Sequence, residues 1–257
     1  MRTGDTLYEG KAKILSATDD PELLVQYFKD DATAFNAQKR GTIVGKGVCN
    51  NKISSALFAY LEGCGIRTHF VKQLDDRSML VKRLEIIPLE VTVRNITAGG
   101  MAKLLGIEEG IVLTRPVFEW HYKSDAQGDP LITDDHILAM GWATPEELAH
   151  IRSESLKVND ALKAFFNQRQ LDLVDFKLEF GRHPACPSGA AGAGRQGAVI
   201  LLGDEISPDT MRLWEHGTRR KLDKDRFRRD LGSVEEAYQE VLRRVLGQRH
   251  EPTPSRQ

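Results

Sequence analysis

Cysteine is scarce, with only Cys49, Cys64 and Cys186 in the chain. Odd in number, far apart and without a C-x-x-C pair, they argue against a disulfide framework and against a thiolate metal site. The histidines are scattered and show no H-E-x-x-H spacing, so zinc has no evident site. Excess charge is missing as well: the formal net charge is -1, which gives no global field for nucleic acid or an acidic membrane. Long hydrophobic runs are also absent. The longest aliphatic stretch, near Ala198 to Leu202, is far short of the roughly 20 residues a membrane helix needs, and the N-terminal MRTGDTLYEGK lacks the apolar core of a signal peptide. The expectation is a cytoplasmic protein with neither membrane nor nucleic acid as partner, which must meet any polyanion locally.

What is present suits a globular enzyme. The 257 residues, 40% hydrophobic and 28% charged, allow one large or two modest domains with a proper core. The runs KAKILSA, LLVQYF, THFVKQL and SMLVKRLEIIPLEVTVRNI predict strands from their β-branched and aliphatic content. Ile53, Leu57 and Leu61 predict a helix from Asn50 that stops at Gly63. Pro88 interrupts the long strand-like run, so residues 85–88 are expected to be a hinge between a part spanning 1–86 and a part spanning 87–247. Thr144-Pro145-Glu146-Glu147 is a capping box with proline at the first helical position, followed by the apolar face Leu148, Ile151, Leu162, Phe165 and Phe166. Ser233 to Glu236 reads as a second such start, leading into Ala237, Tyr238, Val241, Leu242 and Val245. The tail 248–257 is expected to be disordered. Between Arg182 and Gly197 the GAAGAG core is followed by a strand pattern and not by a helix, so a flexible hairpin loop is expected in place of a dinucleotide loop.

The segment Leu173 to Gly181, LVDFKLEFG, carries the most chemistry. Alternate residues of a strand share a face, so Asp175, Lys177 and Glu179 project together while Phe176, Leu178 and Phe180 pack behind them. A second apolar run, AVILLG, delivers Asp204 and Glu205. Two neighbouring strands each ending in a carboxylate suit a hard cation such as Mg2+ that bridges to phosphates. Taken alone, such alternation more often marks a solvated sheet face.

Four further clusters shift the balance. In Leu7-Tyr8-Glu9-Gly10-Lys11-Ala12-Lys13, a glycine turn lets backbone N–H groups approach phosphate while the lysines supply countercharge. Arg94, at the end of IPLEVTVRN and just before Thr97-Ala98-Gly99-Gly100, suits an oxyanion pocket beside a helix start. Lys123 lies in a polar turn with Asp125 and Asp129. Arg212 and the stretch Arg219 to Arg229 fit a substrate-phosphate pocket or a solvated surface better than RNA, since only Phe227 offers a stacking ring.

Together, LYEGKAK, NNKIS, IPLEVTVRNITAG, LGIEEG, LVDFKLEFG, LGDEISPDTMRLW and LDKDRFR resemble the SAICAR synthetase family of purine biosynthesis, in that family's order. The resemblance implies a two-part α/β fold of α+β type, related to ATP-grasp enzymes and to protein-kinase N-terminal lobes, with mostly antiparallel sheets and flanking helices. It implies a reaction joining L-aspartate to the carboxylate of carboxyaminoimidazole ribotide with ATP cleavage and Mg2+, in a cytoplasmic homodimer. Carried over position by position, Gly10, Lys11, Ala12 and Lys13 contact the ATP phosphates, Lys82, Leu84 and Ile86 line the adenine side, and Lys123 lies near the ribose. Glu179 and Asp204 hold the metal. Arg94, Gly99, Gly100, Lys177, Arg212, Lys224 and Arg228 bind the ribotide, and Lys177, Asp175 and Arg212 are the catalytic set, with Asp175 orienting Lys177. Two departures stand out: Gly100 replaces the family's usual serine, and the loop 182–197 is longer than the usual turn. A non-catalytic nucleotide sensor would not need the ribotide arginines, and RNA binding would call for a more basic chain.

Overall fold

A computed structural model describes residues 4–34, 39–184, 193–194 and 198–248. The disordered-tail expectation lies outside these residues apart from Gln248, and so does most of the 182–197 loop. The N-terminal sheet has the order β1 (Thr6–Glu9), β2 (Lys13–Ala17), β3 (Leu23–Phe28), β7 (Ser78–Lys82), β6 (Phe70–Gln73). A hairpin of β4 (Asp31–Ala34) and β5 (Lys39–Thr42) and the helix α1 (Lys46–Gly63) lie between β3 and β6 in the chain.

The second sheet runs β10 (Leu131–Ile132), β9 (Val112–Tyr122), β8 (Glu85–Ile96), β11 (Leu171–His183), β13 (Ala198–Leu202), β12 (Ala193–Gly194), with β14 (Met211–Glu215) also pairing to β11. Every named strand pair is antiparallel. The mixed architecture with mostly antiparallel sheets is therefore as expected. The remaining helices are α2 (Gly99–Leu105), α3 (Asp134–Ala139), α4 (Pro145–Asn167), α5 (Asp225–Arg228) and α6 (Val234–Val245). Among the described residues no helix is long and apolar enough to cross a membrane.

The core forms where the greasy face of β11 meets the helices. Phe176, Leu178 and Phe180 are buried in one cluster with Ile151, Val158, Leu162 and Phe166 of α4 and with Ile53, Leu57 and Leu61 of α1. Each such side chain contributes about 1.5–3 kcal/mol on full burial, and this anchoring leaves the opposite face of β11 free to carry charge. The N-terminus of α1 has no capping side chain of its own. Asp30 supplies one from outside the helix, accepting the N–H of Gly45 (3.2 Å) and of Gly47 (2.8 Å). Arg77 donates to both oxygens of the same carboxylate and, with these amides, holds its pKa down to about 2 against a smaller opposing effect of burial.

Several sequence expectations need correction. β8 runs unbroken through Pro88. The proline sits where the β8–β11 register shifts, between the pairs Gly181↔Ile86 and Glu179↔Glu90; a residue without an N–H is tolerated at such an irregularity. The long strand-like run divides earlier, at Arg83 and Leu84. Gly63 lies inside α1, and the glycine with left-handed backbone beyond the helix is Gly65, φ +83°. The capping box at Thr144 forms as expected, with the Glu147 N–H donating to the Thr144 hydroxyl at 3.2 Å. At Ser233 it does not form, although the helix does.

Candidate active site

The charged face of β11 is one wall of a cavity of about 600 Å3 bordered by Gly10, Lys11, Ala12 and Lys13 from the β1–β2 turn and by groups from the second sheet. Strand register arranges those groups in rungs. On β8, Arg94 stands opposite Asp175, Thr92 opposite Lys177 and Glu90 opposite Glu179. On the other side of β11, Arg212 of β14 pairs with Asp175. Directly opposite side chains lie close enough to interact strongly, so the ladder itself brings two arginines to one carboxylate and a second glutamate to Glu179.

The arginine end is closely tied. The Asp175 carboxylate accepts Nη1 of Arg94 and Nη1 of Arg212, both at 2.8 Å. Glu119 accepts Arg94 Nε at 2.8 Å, and Asp225 accepts Arg212 Nε at 3.0 Å. Burial opposes the charge of Arg212, but Asp175, Asp225 and Asp223 outweigh it and push its pKa up. Asp223, buried beside Asp225, is itself pushed up to about 7 by burial and by that neighbour. Gly99 has φ +53°, and a Cβ there would collide with Arg212 Nη2, whereas a Cβ on Gly100 would meet only Arg94 Nη2 at 3.9 Å. The Gly99 N–H already donates to Glu109 at 3.0 Å, so the expected anion pocket at this turn lacks that amide.

At the carboxylate end, Lys177 Nζ donates to Glu90 (2.6 Å) and Glu179 (2.7 Å) and lies 4.0 Å from Asp204. Lys123 donates to the other Glu179 oxygen at 2.6 Å. Lys13 reaches both Asp204 and, at 3.0 Å, Glu205. Burial resists charging Asp204, yet Lys13, Lys177 and Lys123 together hold its carboxyl below the usual range. Burial likewise works against Lys13 and Lys177, and the surrounding carboxylates override it, raising both ammonium pKa values. For Glu90 burial is the larger effect and raises its pKa in spite of Lys177. A third group sits at the base of the cavity, where Asp209 accepts Lys46 Nζ at 2.8 Å and the Tyr238 hydroxyl at 2.6 Å, with Lys224 Nζ at 3.6 Å.

Residues 6–245 match the SAICAR synthetase family. The chain belongs to that family. It is 56% identical to phosphoribosylaminoimidazole-succinocarboxamide synthase of Chloroherpeton thalassium over 247 residues, 96% of this chain and 100% of the relative. Identity to the Clostridium acetobutylicum enzyme is 54%, with the same coverage. Among solved structures, the Ehrlichia chaffeensis synthase superposes with a TM-score of 0.89 at 43% identity, covering 96% of this chain and 100% of that one. A SAICAR synthetase in complex with ADP superposes with a TM-score of 0.85 at 42% identity, covering 95% and 99%. The protein is thus an ATP-dependent carbon–nitrogen ligase of purine biosynthesis that joins L-aspartate to carboxyaminoimidazole ribotide.

Of the residues singled out by resemblance to SAICAR synthetases, the cavity collects Gly10, Lys11, Ala12, Lys13, Arg94, Lys123, Asp175, Lys177, Glu179, Asp204, Arg212, Lys224 and Arg228. Gly99 and Gly100 border it through the two arginines. Lys82, Leu84 and Ile86 stand outside its wall: Lys82 Nζ donates to the Thr68 carbonyl at 3.2 Å, while Leu84 covers Gly181 and Gly203, with Ile86 also facing Gly203. Asp175 does not orient Lys177; its carboxylate is committed to the arginines, and Glu90 and Glu179 hold the lysine. Sequence reasoning missed Glu90, Glu205 as a partner of Lys13, and Asp209 with Lys46. Glu90 was within reach of the period-two rule, since Glu90, Thr92 and Arg94 alternate in EVTVR. Nothing local in the sequence joins Lys46 to Asp209.

Proposed function

We propose that the rungs of β11 order the reactants along the cavity: ribotide phosphate at Arg94 and Arg212, its carboxylate near Lys177, and the ATP γ-phosphate between Lys13, Glu179 and Asp204. The observation that carries this is the placing of the arginine pair at the Asp175 rung and of Glu179, with Asp204 beside it, at the other end of the same face of β11, four residue steps or about 13 Å apart at the usual strand rise. Residues 1–86 supply nucleotide contacts and residues 87–247 the metal and ribotide groups, with Lys11 and Lys13 on the phosphates, Leu84 and Ile86 beside the adenine and Lys123 near the ribose.

Glu179 and Asp204 fit Mg2+, which takes one or two carboxylates and leaves its other positions to phosphate oxygens and water, neutralising phosphate charge when bound. The lysine ammonium groups that contact both carboxylates already mark the place as one that attracts cations. A carboxylate is a poor electrophile, so the ribotide carboxylate takes the γ-phosphoryl group from ATP, releasing ADP; the amine of L-aspartate then attacks the acyl phosphate and phosphate leaves. Lys177 neutralises the reacting carboxylate, and the other residues position and screen charge. Ribotide labelled with 18O in its carboxylate tests the route: one label is expected in the released phosphate, and sustained ADP release over many turnovers should require both ribotide and aspartate. Unlabelled phosphate would overturn it.

The substitution of serine by Gly100 has a defined expectation. Gly100 is exposed, its φ lies outside the left-handed region, and a Cβ has room. Gly100→Ser is therefore expected to tighten ribotide binding by up to about tenfold, the worth of one neutral hydrogen bond, with ATP affinity unchanged. Titration calorimetry with each ligand checks it, and weaker ribotide binding would count against the assigned pocket. The homodimer is proposed too, supported by the exposed run Leu104, Leu105, Ile107, Ile111 and Val112 along α2 and the start of β9. A cytoplasmic location is supported by the small, water-soluble reactants.

A further inference from the structure

Asp204 has φ +61°, in the left-handed region that is uncommon for a residue with a Cβ, although aspartate enters it more readily than most. The residues around it are anchored by familiar bonds. Leu202 donates its N–H to the Arg67 carbonyl (3.1 Å) and accepts that of His69 (2.8 Å), and Gly203 donates to the Glu179 carbonyl (2.9 Å). Beyond it, the Ser54 hydroxyl donates to the Ile206 carbonyl at 3.1 Å. The Asp204 carbonyl is held from a different part of the fold: it accepts Nε2 of Gln26 at 3.1 Å. Gln26 lies in the middle of β3 in the N-terminal sheet, 3% exposed, opposite Leu15 and Met79. An amide buried among apolar neighbours costs free energy unless it is hydrogen-bonded, so this polar residue in the sheet is matched to its acceptor.

We propose that Gln26 is a positioning residue for the ligase reaction: its amide, donated to the Asp204 carbonyl, keeps that residue left-handed and its carboxylate beside Glu179 at the nucleotide end of the cavity. This rests on the reading of Asp204 as a metal ligand. Without the bond, the Asp204 carbonyl loses its side-chain donor, and a turn of the peptide between Asp204 and Glu205 would redirect both carboxylates that share Lys13. The N-terminal sheet then steadies the metal geometry of the second sheet from two sides, through Lys13 at the carboxylates and Gln26 at the backbone.

Gln26→Met keeps the length and apolar bulk of the side chain and removes the donor. Mn2+ binding to the full chain in the presence of ADP, followed by electron paramagnetic resonance, is expected to weaken about five- to tenfold, as for one lost buried hydrogen bond. The ribotide KM should stay within about twofold and the melting temperature should fall by no more than a few degrees, the scale of one buried hydrogen bond. Asp204→Asn in the same assay separates the two ideas. If it abolishes Mn2+ binding while Gln26→Met leaves it untouched, the positioning role falls and the metal ligand stands; if neither matters, both fall. A loss of ribotide affinity in parallel with the Mn2+ affinity, together with a drop in melting temperature beyond a few degrees, would leave Gln26 a residue of the fold alone.

Discussion

Glu179→Gln and Asp204→Asn are each expected to lower kcat by about two to four powers of ten, the rate equivalent of several kcal/mol of charge stabilisation. The fold should survive either change. Glu179 shares Lys177 with Glu90, and Asp204 shares Lys13 with Glu205, so those two ammonium groups keep an anion; Lys123, the other partner of Glu179, is exposed enough to turn to water. Each variant should also need more Mg2+ to reach half its own maximal rate. Steady-state kinetics over a Mg2+ series, with thermal melts as the folding control, measure this. Near-normal turnover in both variants at ordinary Mg2+ would remove these carboxylates from the reaction.

Glu179 was legible because a strand fixes which side chains share a face whatever lies around it. LVDFKLEFG therefore yields Asp175, Lys177 and Glu179 from spacing alone, and the structure keeps them on one wall. What each group touches depends on register, and register is not local. β14 meets β11 with an irregularity between Leu173 and Asp175, which aligns Arg212 with Asp175. No periodicity in either segment encodes that offset, so the partner of Asp175 was assigned to Lys177. Asp209 and Lys46 are joined across 163 residues where α1 meets the segment between β13 and β14, as Ser54 also meets Ile206, again a tertiary fact.

The two helix starts teach the same lesson locally. A capping side chain works from an extended backbone, and Thr144 has φ -87° and ψ 163°. Ser233 instead follows Gly232 (φ +67°) and is itself left-handed, φ +45°, so the S-x-x-E spelling is present without the geometry it requires. The proline at 88 misled for the opposite reason. It spells a break, but it falls at a shift of register where its missing N–H costs little.

Arg94→Lys and Arg212→Lys are expected to raise the ribotide KM by about ten- to a hundredfold, the range for losing a hydrogen bond to a charged group, while the ATP KM stays within about twofold. The reason lies in how each guanidinium is divided. Nε and Nη1 are committed, to Glu119 and Asp175 in Arg94 and to Asp225 and Asp175 in Arg212. Nη2 of each points to the Gly99–Gly100 turn, and among the described residues neither Nη2 has a hydrogen-bond acceptor. Two fixed donors of this kind suit a phosphate. A lysine has one nitrogen on a flexible stem and cannot reproduce the planar fork that holds two carboxylates through Nε and Nη1 while a separate nitrogen faces the phosphate. Arg212→Lys leaves Asp225 with Arg228 and Asp175 with Arg94, so the melting temperature should fall only slightly. Initial rates with each substrate varied in turn separate the constants. An effect confined to the ATP KM would move both arginines to the nucleotide, and unchanged constants would take them out of substrate binding altogether.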